Sequence, residues 1–190
     1  PNSDASVRPG AHPTEHGWVR LQAHRHPLLR RDPRFRSEGG HAHYHLARLE
    51  LASKLGADLT VNIEEQDVLS LIGELTDSQG ADLFLECAGA PAAARLGLQA
   101  TRRGGQYTQV GLFPGPFELG FDLIAYKELQ VTGSLGQRWT SWQRALSLMA
   151  QGQVDTKSLV SHILPLTKWQ EAFRLLEQKQ GLKIVLEPVD

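Results

Sequence analysis

Short apolar runs alternate with amphipathic stretches over residues 46–190. Three of the runs, DLFLECAG (82–89), QYTQVGL (106–112) and LQVTGSLG (129–136), carry little charge and end at or beside a glycine. Runs that are apolar on both faces are typical of parallel strands covered on both sides of their sheet. We therefore predict buried strands at 82–87, 106–111 and 129–134.

Helical spacing fills the stretches between the runs. In ARLELASKLGA (47–57), Leu49, Ala52 and Leu55 share one face, and Gly56 is a stop signal. Pro91 at a first-turn position predicts a helix that runs to residue 103, before a pair of glycines. The other predicted elements are helices at 66–80, 122–127, 140–152 and 167–181, and strands at 59–63 and 183–189.

The alternation of strands and helices predicts an α/β fold with right-handed βαβ crossovers. Ligands of such sheets bind at the carboxyl ends of the strands, where glycine allows a close backbone approach. The residues at these ends are Cys87, Ala88, Gly89, Val110, Gly111, Leu112, Ser134 and Leu135. The alternative is that these glycines mark only the beginnings of loops.

Residues 1–45 differ from the remainder in composition. They hold seven of the eight histidines, seven of the fourteen arginines and five of the ten prolines, and their charge is +3 against −4 for residues 46–190. No helical or strand periodicity is visible, and the prolines would interrupt any long element. The segment is therefore expected to be irregular or disordered.

Composition limits the kinds of partner that are expected. The net charge of −1 gives no reason to expect nucleic acid or an anionic membrane surface as a partner. The single cysteine, Cys87, excludes a disulfide framework within the chain and fits a reducing compartment. No apolar run approaches membrane-span length, and no leader follows Pro1, so we expect a soluble, cytoplasmic protein or a fragment of one.

Two clusters in the amino-terminal segment have alternative interpretations. His41, His43 and His45 alternate and would share one face of a strand, as metal ligands do, but no cysteine or carboxylate is placed to complete a site. Four arginines between residues 30 and 36 lack the aromatic interleaving of a nucleic-acid surface. We predict neither a metal site nor nucleic-acid binding.

Several phrases of residues 46–190 resemble the medium-chain dehydrogenase/reductase superfamily. ARLELASKLGAD, GADLFLECAG, GGQYTQVGL and LVSHILPLTKWQEAFRLLEQKQGLKIVL are most similar to zinc-dependent polyol (sorbitol-type) and threonine dehydrogenases. The resemblance implies an incomplete Rossmann-like, doubly wound parallel sheet with an irregular amino-terminal segment. It also implies hydride transfer between an alcohol carbon and nicotinamide, with zinc polarising the substrate oxygen in the full-length parent only.

The same resemblance implies the partners of the parent enzyme. Its cofactor would be NAD, with NADP left open, and its substrate a small-molecule alcohol or polyol. The sheet edge around residues 113–135 would extend between subunits, so the chain is expected to be a homo-oligomer or to aggregate.

By position, the resemblance carries several cofactor-binding roles over to this chain. Arg48 matches the arginine beside the adenosine ribose, and Cys87, Ala88 and Gly89 match a strand end that faces the cofactor. Two segments match those that hold the nicotinamide carboxamide through backbone groups: Val110, Gly111 and Leu112, and then Ser134, Leu135 and Gly136. Gly136 is a departure, because sorbitol-type enzymes have arginine there.

Larger departures from the family's cofactor-binding pattern lie in the amino-terminal part of the chain. No G-x-G-x-x-G pattern for pyrophosphate binding occurs in the chain, and His43 stands where the family places an aspartate for the ribose hydroxyls. The zinc ligands would belong to an absent domain, so we expect no catalytic residue and no activity from this chain alone. The predicted domains are an irregular segment (1–45), a partial dinucleotide-binding domain (46–181) and a tail strand of the absent catalytic domain (182–190).

The family's 3-2-1-4-5-6 strand order places the first two strands between strand 59–63 and strand 82–87. Without them, strand 59–63 would be isolated and strand 82–87 would have a bare edge. One hypothesis is that residues 1–45 are a shifted-frame or mis-joined translation of the missing glycine-rich unit, which the two other reading frames of the source DNA would test. The alternative to a truncated oxidoreductase is a non-catalytic binding remnant that folds only with a partner.

Overall fold

A computed structural model describes residues 19–23, 38–43, 46–178 and 180–188; it gives the strands within residues 19–43 as backbone. Predictions on the other residues of the segment 1–45 lie outside this described part. The chain divides into two compact units, Pro1–Leu135 and Gly136–Asp190, which are described one at a time. The predicted boundaries after residues 45 and 181 stay predictions.

The elements follow one another as strands and helices along most of the described chain. The strands are β1 (Val19–Ala23), β2 (Glu38–His43), β3 (Leu59–Asn62), β4 (Ala81–Glu86), β5 (Thr101–Gln109), β6 (Gln130–Gly133), β7 (Val160–Pro165) and β8 (Lys183–Glu187). The helices are α1 (Leu46–Lys54), α2 (Val68–Leu75), α3 (Pro91–Ala100), α4 (Asp122–Tyr126), α5 (Trp139–Ala150) and α6 (Trp169–Glu177).

The first unit is built on a six-stranded sheet of order β3-β2-β1-β4-β5-β6. The neighbours β2–β3, β4–β5 and β5–β6 are parallel, whereas β1 is antiparallel to both β2 and β4. The α/β class and the Rossmann-like arrangement predicted from the sequence are confirmed. The reversed direction of β1 is a departure from an all-parallel sheet.

The amino-terminal segment supplies two strands that composition did not predict. β2 pairs with β3, and β1 fills the position between β2 and β4, so the condition under which β3 would be isolated and β4 would have a bare edge is not met. These strands form without an apolar, periodic sequence because backbone hydrogen bonds to a neighbouring strand do not require one.

Apolar side chains from β3, β4, β5, α2 and α3 form the core of the first unit. Phe84 and Leu98 are almost fully buried, and the ring of Phe84 stacks on that of Tyr107 with centroids 5.8 Å apart. Helix α2 packs its apolar face on this core through Val68 and Ile72. Burial of this face explains why the spacing within 66–80 predicted a helix, although the helix is shorter than predicted.

Strand β5 begins five residues earlier than predicted. Helix α3 ends at Ala100, and Thr101 is already extended, with φ −70° and ψ 132°. Gly104 and Gly105 therefore lie inside the strand, next to a register irregularity in its pairing with β4. Glycines inside strands are typical of bulges, and the sequence prediction took them for a helix stop.

The second unit contains α5, α6 and a two-stranded parallel sheet of β7 and β8. β7 was missing from the sequence prediction, although its exposure alternates over most of its length as in a half-covered strand. The predicted helix at 167–181 is a 3₁₀ turn at Leu166–Lys168 followed by the shorter α6. Among the residues that the structure describes, no helix has the length and apolar character to cross a membrane.

Candidate functional site

The carboxyl ends of β4, β5 and β6 lie side by side at one edge of the first unit. The amides of Val110 and Gly111 donate to the carbonyl oxygen of Glu86 over 2.8 and 2.9 Å. The amide of Ser134 donates to the carbonyl oxygen of Gln109 over 2.9 Å. These bonds continue the ladder past the last strand residues, so the structure brings three of the predicted ligand segments together.

Two glycines allow the loops after β4 and β5 to touch. A Cβ on Gly111 would lie 2.1 Å from the amide nitrogen of Gly89, and a Cβ on Gly89 would lie 2.3 Å from the carbonyl oxygen of Leu112. Gly89 also has a φ of +65°, which side chains disfavour. The close approach that glycine permits here joins the two loops to each other.

The last residue of β4 is a fully buried carboxylate. Glu86 Oε1 accepts hydrogen bonds from the amides of Ala88 and Gly89, both over 2.8 Å, and Oε2 accepts a second bond from Gly89 over 3.1 Å. A buried charge is tolerated only where hydrogen bonds replace its water. Here the turn that follows the strand supplies them.

A second strand supplies the remaining donor to this carboxylate. Gln109 Nε2, at the end of β5, donates to Glu86 Oε2 over 2.5 Å and to the carbonyl oxygen of Gly111 over 2.8 Å. The Tyr107 hydroxyl donates to Gln109 Oε1 over 2.5 Å. Burial and, secondarily, the nearby Glu86 carboxylate raise the pKa of Tyr107, which keeps its donor proton in place.

The surface of these loops is apolar. Val110 is 40% exposed and Leu112 73% exposed, and Leu135 after β6 is 82% exposed. Cys87 is half-buried, and burial followed by the charge of Glu86 raises the pKa of its thiol. The thiol is therefore neutral at ordinary pH and adds to the apolar character.

The remaining predicted site residues are placed elsewhere. Arg48 lies half-buried in the first turn of α1, after the carboxyl end of β2. Because β1 stands between β2 and β4, that end is two strand spacings, about 10 Å, from β4. Gly136 is exposed, with φ +69°, and begins the second unit.

The direction of β1 matters for any phosphate site. Val19, where β1 begins, pairs with Glu86, and Ala23, where it ends, pairs with Glu38 at the start of β2. β1 therefore ends at the end of the sheet that lies opposite the carboxyl ends of β4 and β5. A phosphate-binding turn after β1 would lie at the wrong edge to continue this site.

Among residues 46–178, 180–188 and the other described positions, no three His, Cys, Asp or Glu side chains are grouped so that they could hold a metal ion. The alternating histidines of the amino-terminal segment have no described side chains. The described residues thus offer no ligand set for zinc.

Comparison with known proteins identifies the family. The zinc-binding dehydrogenase family model matches residues 44–151, more than half of the chain. The chain belongs to the zinc-binding dehydrogenase family. It is 40% identical to a sorbitol dehydrogenase of Halalkalibacterium halodurans over 144 residues, which cover 75% of this chain and 42% of that enzyme. It is 37% identical to an L-threonine 3-dehydrogenase of Pyrococcus abyssi over 141 residues, or 73% of this chain and 40% of that one.

Solved structures of zinc-binding dehydrogenases have the same fold. An alcohol dehydrogenase from Thermotoga maritima superposes with a TM-score of 0.70 at 30% identity, over 78% of this chain and 42% of that one. A putative zinc-binding dehydrogenase from Sinorhizobium meliloti, bound to NADP, gives a TM-score of 0.68 at 24% identity over 77% and 44%, which shows the fold alone. The chain spans about two fifths of the length of these curated relatives, and the resemblance to zinc-type sorbitol and threonine dehydrogenases is confirmed.

Sequence reasoning missed Glu86 and Gln109. The signal for Glu86 was a carboxylate near the end of a mostly apolar run, because such a charge must find hydrogen-bond donors when it is buried. Gln109 carried no such signal, since its partner lies on another strand.

Proposed function

We propose that this chain forms the nicotinamide-side half of the cofactor pocket of an NAD(H)-dependent alcohol or polyol dehydrogenase. The observation that carries the proposal is the hydrogen-bonded set of strand ends after β4, β5 and β6, with exposed Val110, Leu112 and Leu135 on it. Ligands of open α/β sheets bind at this position. Bound there, the cofactor would accept or donate the hydride of alcohol oxidation or carbonyl reduction.

The residues present fit the nicotinamide half of such a cofactor. A flat, largely apolar ring can lie on Val110 and Leu112, and the fixed backbone of the two loops can orient its carboxamide. Cys87 and Gly89 would complete the floor.

The sequence and the described part of the structure lack the features that would bind the adenosine and pyrophosphate half of the cofactor. The chain has no glycine fingerprint, β1 ends at the opposite edge, and His43 stands at the end of β2 where a carboxylate would hold the ribose. Cofactor affinity should therefore be weak and should not distinguish NADH from NADPH. Zinc chemistry and the substrate pocket of the parent enzyme would require residues other than those that the structure describes.

The proposal is tested by titrating the purified chain with NADH, reduced nicotinamide mononucleotide and ADP-ribose, following nicotinamide fluorescence and thermal stability together. We expect NADH and the reduced mononucleotide to bind with dissociation constants within about threefold of each other, because both present the same ring. ADP-ribose should cause no shift in melting temperature.

Two results would overturn the proposal. The first is a melt that is unchanged by millimolar NADH, which would favour the rival interpretation of a non-catalytic remnant without cofactor. The second is ADP-ribose binding as tight as that of NADH, which would move the site to the adenosine side. In the same titration, a chain with Gly115→Ala should bind NADH as the unsubstituted chain does, because a Cβ at Gly115 meets nothing within 4 Å.

A further inference from the structure

We propose that Glu86 is a positioning residue that fixes the two loops expected to meet the nicotinamide. The inference rests on the proposed function, but its structural part, a clamp made by the Glu86 carboxylate, can be measured without any ligand. Glu86 would not touch the cofactor, and it would act through the backbone of Ala88, Gly89 and Gly111.

The Glu86 carboxylate is buried at a turn between two elements. Glu86 is 0% exposed, yet it stands at the last position of β4, where the chain turns. Two backbone amides of that turn donate to it, and its own carbonyl oxygen accepts from Val110 and Gly111. One residue therefore contacts both loops through its side chain and its backbone.

Gln109 links the Glu86 carboxylate to the loop after β5. Its amide group spans Glu86 Oε2 and the carbonyl oxygen of Gly111, and Tyr107 fixes which way the amide points. Because Gln109 Nε2 must donate on both sides, only an acceptor at position 86 fits. A glutamine at position 86 can keep one acceptor for the turn, but its NH₂ group would then face the NH₂ group of Gln109.

The loops after β4 and β5 lie in direct contact, which leaves little room for either to move. Gly89 and Gly111 already touch, so small shifts of either loop produce a clash or a gap. Hydrogen bonds to a charged group are about twice as strong as neutral ones. The carboxylate thus adds charge-assisted hydrogen bonds to the backbone bonds that hold the two loops in contact.

The test compares Glu86→Gln with the unsubstituted chain in two measurements. In the ligand-free chain, amide hydrogen exchange at Ala88 and Gly89 should become faster by about tenfold or more as these charge-assisted bonds weaken. In the NADH titration, the dissociation constant should rise by about tenfold. Gln109→Met is a second variant for the case that Glu86→Gln does not fold; it should weaken NADH binding while leaving the Ala88 amide protected.

Lys127→Met is the matched control. Lys127 Nζ donates to the carbonyl oxygens of Leu98, Gln99 and Thr101, where α3 ends and β5 begins, away from the candidate site. Its loss removes several hydrogen bonds from the same unit. It should lower the melting temperature without changing either exchange at Ala88 and Gly89 or NADH affinity.

The outcomes separate the two proposals. Unchanged exchange at Ala88 and Gly89 in Glu86→Gln overturns the clamp, whatever the ligand does. If Lys127→Met lowers affinity as much as Glu86→Gln, the effect is general destabilisation and the positioning role is wrong. Absence of NADH binding by the unsubstituted chain overturns the proposed function. In that case, amide hydrogen exchange at Ala88 and Gly89 still shows whether the Glu86 carboxylate holds the loops.

Discussion

At the residue scale, Gly111 is the position in the candidate site that leaves the least space for an added side chain. A methyl group there would meet the backbone of Gly89 and the Glu86 carboxylate, at 2.1 and 2.7 Å. Gly111→Ala should therefore lower the free energy of unfolding by about 1–3 kcal/mol, as overpacking does. Chemical denaturation measures the change, with Gly115→Ala expected to stay within about 0.5 kcal/mol of the parent. Equal stability of the two variants would show that the loops do not touch.

The thiol of Cys87 should react slowly with alkylating reagents. Burial, and then the negative charge of Glu86, raise its pKa, so less of it is thiolate at a given pH than for an ordinary cysteine. We expect the alkylation rate to keep rising at pH values where a free cysteine peptide has already reached its plateau. Glu86→Gln should increase the rate at fixed pH, because it removes the charge. A rate equal to that of the peptide would contradict the buried geometry.

The sequence predicted the positions of the strand-end residues but not how they are held. Cys87, Gly89, Val110 and Gly111 lie at the ends of apolar runs, and the local pattern is enough to place them at strand ends. The bond between Gln109 and Glu86 joins residues 23 positions apart, so only the parallel register of β4 and β5 brings them together. Local pattern contains no information on that register.

At the element scale, α2 begins with a side-chain cap that responds to pH. The Asp67 carboxylate accepts from the Ser70 hydroxyl over 2.7 Å and from the Leu69 amide over 3.0 Å, and these bonds, in that order, lower its pKa. A lowered folded-state pKa means that the cap contributes fully above the ordinary value of 3.8 and is lost as pH falls through the folded value.

Carboxyl NMR titration should therefore give Asp67 a midpoint below that of a model peptide. Amide hydrogen exchange, followed over the same pH range, should show that helix α2 loses protection as the Asp67 carboxylate protonates. Asp67→Asn keeps a capping acceptor without a titrating group, so its α2 protection should not follow this transition. A normal midpoint for Asp67 would contradict the capping geometry.

Helices and strands were predictable from the sequence where a buried face produces a periodic pattern of apolar residues. β3, β4 and helix α2 lie where apolar spacing put them, because their side chains pack in the core. The spacing also placed α1 and β6, but the predicted burial of β6 was wrong, since all four of its residues are exposed. The start of β5 was not predictable, since its glycine pair produces a bulge inside a strand and resembles a helix stop. β1 and β2 have no such period and exist through backbone pairing with β3 and β4.

At the scale of the whole molecule, the reversed β1 separates this chain from a complete dinucleotide-binding sheet. Replacing residues 1–45 with a strand, a G-x-G-x-x-G turn, a helix and a second strand, the unit that opens a doubly wound dinucleotide-binding sheet, should make this sheet fully parallel. The turn would then place helix amides at the pyrophosphate, and NADH affinity should rise by about 100-fold or more.

Isothermal titration of this chimera measures the gain. The control is the same chimera with the fingerprint glycines changed to alanine, which should bind no better than the parent chain. If the glycine-containing chimera gains nothing, the strand ends after β4, β5 and β6 are not half of a cofactor pocket.

The central claim is that these strand ends are the nicotinamide side of a cofactor site. Amide hydrogen exchange with and without saturating reduced nicotinamide mononucleotide tests it most directly, because it reports position as well as binding. We predict added protection at residues 87–89, 110–112 and 134–135, and none at the carboxyl end of β3. Protection elsewhere in the chain, or none at these three segments, would contradict the claim.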